Sequence, residues 1–564
     1  MASEGNTLLS DLDSEIAGLI TDRYSWWIHW ASLATYELPR RYRWLVTANQ
    51  MNRGSYINGA ILDSTGTIAL RVLASGMMSG ITSPTRKWFK LHLPGFDPDE
   101  INPVTTWLTE CERRMMHVFQ ESNFYNAIAV VYMDLAVFGT APMLIYDDFE
   151  NIICCYNPCA GEYFTWNDAQ LRAGGVAREI TMTVRQLVGE FGLENCSNDV
   201  QQAWKRKGAG LTREITVRHI IKLNVDEVGK QFKYFEAYWE RGGTTPQSGT
   251  PNNDGKFLRK RGFHEAPFIC PRWETSGNDA YGRSVGMDML GDVKQLQQET
   301  KRKAQAIDKL ANPPMVADVE LKNQPASTIP GGVTYTTKKD GVGFKPAYEN
   351  FRPPIAEMMN DIGQIQKRIK EIAFNDLFLM ISSLETVRTA TEIDARREEK
   401  LVMLGPVLER LQTEALDPII DRTFAIMQRN GLFPPAPAEI AGKPVAVEYV
   451  SMLAAAQRAA ETTGMERFLA QVGNVGAIHP PALDIPNWDR MLTRYGMILG
   501  NDPGDINTVE EIAAIRTAQQ KQAAITQAAD TSQGFAKAGQ TLANTPVGGG
   551  VSALQAIMSG GGPS

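Results

Sequence analysis

A serine between two glycines, Gly282-Arg283-Ser284-Val285-Gly286, is the one stretch of this 564-residue chain that matches a catalytic motif. The pattern is that of the nucleophile elbow of α/β-hydrolases, in which a strand runs straight into the serine and a helix leaves it. The preceding ETSGNDAY is turn-forming and does not read as a strand. Downstream, the sole histidine that could act as base is His479, in an Ala-Ile-His-Pro-Pro loop. Ser284 has a second use, as an N-cap whose hydroxyl satisfies a free amide at the start of a helix. A serine hydrolase built on Ser284 is the weaker alternative, and no catalytic residue is assigned.

Metal and nucleotide chemistry find less support. Cys154, Cys155 and Cys159 crowd into one segment, with Cys111, Cys196 and Cys270 scattered elsewhere. A zinc site needs four ligands, usually as two spaced pairs, and neither a CxxC nor an HxxxH accompanies them. They read as buried or edge thiols in a reducing compartment. No GxxxxGK[ST] phosphate loop occurs, so the chain cannot hydrolyse ATP by that route. HExxH is absent too, and no cofactor is expected.

Composition bounds the remaining classes. Hydrophobic residues at 43% and charged ones at 21% describe an ordinary globular protein of several folding units, mixed in helix and strand. The net charge of -7 argues against a protein whose affinity comes from gripping phosphates. It suits equally a conduit that nucleic acid slides through or a protein that meets none. MASEGNTLLSDLDSE has no signal-peptide pattern. The apolar run 127–146 carries Asp134 in its middle and Pro142 near its end. It reads as a buried helix near 124–138 and a strand near 143–146, so a soluble chain is expected with no membrane partner.

The elements that would position any site are clearest in 282–432. Met289, Val293, Leu296, Thr300, Ala304, Ile307 and Leu310 recur at steps of three and four, predicting one amphipathic helix that Asn312-Pro313-Pro314 ends. A second rod carries Ile355, Met358, Ile362, Ile365, Ile369 and Ile372 at heptad spacing. Between them lies a Pro-, Gly- and Thr-rich segment that reads as small β structure. NDLFLMISSLETVR then breaks the period and reads as a loop. Thr389 and Glu392 form a capping box opening a long helix, which Gly405-Pro406 and Pro418 should bend and Gly431 should stop. Upstream, seven aromatics between Tyr24 and Trp44 suit core or interface anchors. EITMTVRQLVGEFG and REITVRHIIKLNV read as β-branched runs, and 242–255 reads as a surface loop. Near the C-terminus QQKQAAITQAADTSQ reads as a polar helix, with a glycine-rich disordered end.

Segments 73–91 (LASGMMSGITSPTRKWFKL), 123–143, 263–316 and 388–411 (RTATEIDARREEKLVMLGPVLERL) resemble, in this order, the head-to-tail connector family of podoviral portal proteins. The likeness spans about residues 15–500. It implies a portal fold: a wing from 1–281 and 432–490, stem helices at 282–311 and 353–373, and a clip at 312–352. A tunnel loop at 374–390, a kinked tunnel helix at 391–431, and a crown at 491–564 with short helices and a disordered tail complete it.

By the same resemblance, twelve copies form a ring at one capsid vertex of a virion assembled in the host cytoplasm. Double-stranded DNA passes through during packaging, retention and ejection. The implied partners are the terminase large subunit, tail or adaptor proteins, and the major capsid and scaffolding proteins. Six isoleucine and methionine positions of the second rod, 355 to 372, are the expected oligomer seam, since an isolated rod cannot bury such a seam and ring neighbours can. Lys301, Arg302, Lys303, Lys367, Arg368 and Arg388 are candidates to face DNA, and pairing with acids of adjacent subunits is equally open to the stem set. The alternative of a different class is a non-portal virion or scaffold protein assembling through the same hairpin.

Overall fold

A computed structural model describes residues 2–46, 58–93, 103–225, 231–241, 256–317, 344–347, 353–382, 405–437, 446–449, 468–475, 486–498 and 509–544, with a few single positions between them. It divides into two compact units, one of residues 1–90, 111–434 and 449–454, the other of 91–110, 435–448 and 455–564. Helices and small antiparallel sheets make a mixed α and β architecture, as composition suggested.

Helices α1 (Ala2–Tyr36), α2 (Pro39–Val46) and α3 (Thr65–Ile81) of the first unit precede β1 (Phe89–His92) and α4 (Pro103–Glu121), whose residues are divided between the units, and α5 (Phe124–Phe138) of the first. The apolar run that could have passed for a membrane span is α5 followed by β2 (Met143–Asp148). Asp134, 4% exposed, is held there by Arg41 at 3.2 Å. Among the described residues no helix is long and apolar enough to cross a membrane. Trp30, fully buried, donates to the Phe138 carbonyl at 3.2 Å and meets Tyr281 edge-on, so this aromatic of α1 is a core anchor.

Next come β3 (Ile152–Tyr156), β4 (Tyr163–Asn167), β5 (Ala173–Thr183), α6 (Val184–Phe191), α7 (Asn198–Arg206), α8 (Ala209–Thr212), β6 (Glu214–Leu223), β7 (Tyr234–Glu240), β8 (Arg259–Phe263) and β9 (Phe268–Ile269). Strands β4 to β8 form a five-stranded antiparallel meander, and β3-β2-β9 a smaller sheet. The strand reading of EITMTVRQLVGEFG is half right. From Val184 onward it is helical, because Thr183 and Gln186 close a reciprocal capping box and Val184, Leu187 and Phe191 turn one face into a core with Val217 and Tyr238. The apolar face of α1, with Leu9, Leu12 and Ile16, covers Phe164, Ile220 and Trp239 of the meander.

The meander also buries a polar network. His219 Nε2 lies 2.8 Å from Glu236 Oε1, Arg178 Nε donates to His219 Nδ1 at 2.8 Å, and the Tyr146 hydroxyl and Arg261 donate to Glu236. Since Nδ1 accepts, the proton sits on Nε2 and the ring is neutral. Burial, reinforced by Arg178, lowers the His219 pKa to about 4, while burial opposes and the His219 and Arg261 contacts outweigh it in lowering Glu236 to about 2.

Helices α9 (Val285–Ala311) and α10 (Ile355–Ile372) pair as a hairpin whose tip contains the two-stranded ladder of β10 (Met315–Ala317) and β11 (Phe344–Pro346). The rest of the expected β-rich tip, including Pro330-Gly331-Gly332, lies outside the described residues, as does the 242–255 loop. Directly after α10, residues read as a loop form helix α11 (Asn375–Ser382). The physical reason is packing. Leu377 is fully buried, and Gly76 of α3 lets the Phe378 ring approach so closely that a Cβ there would lie 2.2 Å from it. The second half of the expected loop, with Arg388, and the capping pair Thr389 and Glu392 lie outside the described residues.

The long helix that follows, α12 over 405–429, contains one π-helical turn at Gln412–Leu416. Pro418 cannot donate to the carbonyl of Glu414, which relaxes the ladder there. Glu414 instead holds Arg272 at 2.6 Å, and Arg422 and Arg429 tie the helix to Glu265. Gly431, at φ +65°, ends it.

The second unit holds α13 (Trp488–Ile498) and α14 (Val509–Asn544), besides most of strand β12 (Ala446–Tyr449). At 36 residues α14 is long, against the expectation of short helices at this end. Its alanine-rich sequence has high helix propensity without a single apolar seam. The glycine-rich end lies outside the described residues apart from 557–558.

Candidate functional site

Ser284 is the N-cap of α9. Its hydroxyl accepts from Met287 N at 3.0 Å and donates to the Val137 carbonyl at 2.7 Å. It is 1% exposed, leaving no approach for a substrate. The flanking glycines are explained by packing as well. A Cβ on Gly282 would lie 2.3 Å from the Gly139 carbonyl oxygen, and one on Gly286 would lie 2.5 Å from the Glu37 carboxyl. Every residue of the motif that could suggest an elbow therefore serves the junction of α5 with α9. Two of the crowded cysteines, Cys155 and Cys159, are buried. Cys159 accepts from Arg41 Nη1 at 3.1 Å, and burial pushes the Cys155 and Cys159 thiols up to about 12.

The hairpin is the chain's assembly candidate, and its two halves differ. In the half nearest the body, Met289, Val293 and Leu296 of α9 and Ile362, Ile365 and Ile369 of α10 are buried within the single chain. They are covered by the partner helix together with α3 and α11. This corrects the expectation that the α10 seam depends on a neighbouring subunit for cover at these three positions. The rod is not isolated, because α3 and α11 supply the second apolar surface it needs. Ile355, Met358 and Ile372 are half-buried.

In the far half the same periodicity continues without cover. Ile307 is 46% exposed and Leu310 44%, with Met315, Val316 and Met359 also exposed. A polar clamp marks the division. Gln297 of α9 accepts from Leu62 N at 2.7 Å and Asp63 N at 2.9 Å, and Gln366 of α10 donates to Asp63 Oδ2 at 2.8 Å. Burial opposes ionisation of Asp63. Hydrogen bonds from Thr65 and Gln366 and the charge of Lys303 outweigh it, keeping the carboxyl below its ordinary range. Sequence reading missed this clamp, since two glutamines and a loop aspartate carry no pattern until the chain brings them together.

The stem cations separate by environment. Lys301 and Arg302 project into solvent, whereas Lys303 is half-buried with its field on Asp63. Arg368 reaches Asp292 across the hairpin at 2.9 Å, and Lys367 lies 3.7 Å from Glu371 on its own helix. Among the described residues, acids of the same chain thus face Lys303, Lys367 and Arg368 of the six candidates. Lys301 and Arg302 have no such partner among the described residues.

These features match known proteins. Residues 9–506 fit the family model for the bacteriophage head to tail connecting protein. The chain is 39% identical over 556 residues to the portal protein of Salmonella phage epsilon15, covering 97% of each. It is 41% identical over 527 residues to the "probable portal protein" of Bordetella phage BPP-1, covering 91% of this chain and 92% of that one. With its catalytic-looking serine spent as a helix cap and its longest apolar pattern spent on a helical hairpin, the chain belongs to the bacteriophage head-to-tail connecting protein family, a structural family and not one of enzymes.

Proposed function

We propose that this chain is the portal subunit of its phage, twelve copies closing into a ring that conducts double-stranded DNA at the head-to-tail junction. The observation that carries the reading is the far half of the hairpin. Ile307, Leu310, Met315, Val316 and Met359 leave an apolar strip in water that the described residues of a single chain do not cover, and strips of this kind mark protein contacts. A second copy, repeated by rotation, covers it and closes the set.

In that ring α9 and α10 are the stem, the β10/β11 tip belongs to the clip, and α12 is the tunnel helix. Lys301 and Arg302 are candidate cations for the channel. Few cations suit a lining that DNA must slide past, because each phosphate contact adds to the grip. The terminase large subunit, tail proteins, and capsid and scaffolding proteins dock outside the channel, at the portal vertex. Negative-stain microscopy of the purified chain tests the reading: rings with a central hole are expected. Compact particles without a hole would favour a scaffold that uses the hairpin without a conduit.

A further inference from the structure

We infer that Glu37 is a proton-controlled latch at the base of α9, seating that helix while its carboxyl is neutral and loosening it on ionisation. Glu37 ends α1 and is 0% exposed, and neither carboxyl oxygen has a hydrogen-bond partner. Its backbone is fully engaged: the amide donates to the Leu33 carbonyl at 2.8 Å, and its own carbonyl accepts from Thr67 Oγ1 at 2.9 Å. The side chain alone is orphaned. It stands against the first turn of α9, where only the missing Cβ of Gly286 makes room for Oε2.

A helix start favours a carboxylate through its dipole. An ion buried without donors nevertheless costs far more than the dipole returns. Burial accordingly raises the Glu37 pKa well above its ordinary range, with the charge of Lys294 pulling the other way. The other charged groups on the surrounding elements are occupied or remote from it. Lys294 itself lies over the Tyr36 ring, Arg41 of α2 pairs with Asp134 of α5, Asp288 of α9 feels Glu274 and Arg283, and Arg71 of α3 is exposed. Ionisation therefore has to be met by movement, and the element in contact with the carboxyl is the start of α9.

The sign follows from linkage. A carboxyl whose folded pKa lies above its free value stabilises fully below the free value, and that contribution is lost as pH rises toward the folded one. Each pH unit in that interval weakens the seat about tenfold as an equilibrium constant. The inference needs only the chain itself and does not depend on ring formation.

Hydrogen exchange of residues 285–297 in the full chain, corrected for intrinsic rates, tests it between pH 5 and 8. The wild type should lose protection as pH rises, by up to about tenfold per unit. Glu37→Gln should stay protected throughout and match the wild type at pH 5. Lys294→Gln, which removes the charge favouring ionisation of the seated carboxyl, should leave the onset where it is and make the loss by pH 8 at least as large as in the wild type. Identical pH profiles for wild type and Glu37→Gln, or weaker protection in the glutamine variant at pH 8, would overturn the latch. So would protection in Lys294→Gln that falls less by pH 8 than in the wild type, which reads the same point should the glutamine variant fail to fold.

Discussion

Ile365 of α10 and Ile307 of α9 occupy apolar positions of the same helical hairpin, yet one is 1% exposed and the other 46%. Near the body, α3 and α11 complete the core around the paired helices. Beyond the Asp63 clamp nothing in the described chain does so. The difference teaches that a heptad pattern states that a face must be covered without stating by what. In this molecule one continuous pattern is covered in two ways, by its own chain and, in the proposed ring, by the next.

The most severe break of that comparison is Ile365→Asp. A charge at this position, 1% exposed on a helix packed against α9, α3 and α11, is taken out of water, and burying it should cost on the order of 4 kcal/mol in the subunit itself. The chain should lose cooperative unfolding or solubility before any question of ring assembly arises. A well-folded single subunit with an unchanged unfolding midpoint would show that the near half is not the core it is described as.

Acid should act next, on the body that supports the near half. His219 is neutral when folded and titrates near 4, below its ordinary 6.5, so stability falls as pH drops from about 6.5 to 4. Glu236, depressed to about 2, adds a further loss between its ordinary 4.5 and 2. His219→Gln should flatten the upper window in a midpoint-versus-pH series. A profile level from pH 7 to 4 in the wild type would place the network outside the stability-determining core.

The smallest effect on the subunit is expected from the far half. Ile307→Asp with Leu310→Asp puts charges on positions already in water, so the unfolding midpoint of the isolated chain should move by less than about 0.5 kcal/mol equivalent. Rings should nevertheless fail, because the same charges would have to be buried at every interface. Light scattering with negative-stain images separates the two readouts. Intact rings from this double variant would mean that the exposed strip is not the subunit contact.

Much of this was legible beforehand wherever local pattern and local cause coincide. The 27-residue α9 has its cap at Ser284 and its stop before Asn312, and α5 with β2 falls where the apolar run breaks at Gly139. The misreadings have one physical origin. NDLFLMISS lacks helical periodicity in its apolar residues although Asn375 and Leu377 of α11 are buried and Phe378 meets Gly76, and VRQLVGEF looks β-branched although a capping box makes it turn. In the first a contact distant in sequence, and in the second a reciprocal pair of capping hydrogen bonds, overrode propensity.

The sequence by itself determined that there would be two amphipathic rods with strand structure between them. Spacing of apolar residues and the presence or absence of ligand sets are properties of the chain alone. Tertiary structure decided which isoleucines the subunit covers for itself, that Arg368 meets Asp292, that Gln297 and Gln366 clamp Asp63, and that Glu37 is left without a donor. Each of these depends on segments far apart in the chain arriving at one place, 76 residues for Arg368 and Asp292 and 234 and 303 for the two glutamines and Asp63, and burial and hydrogen bonding exist only once they do.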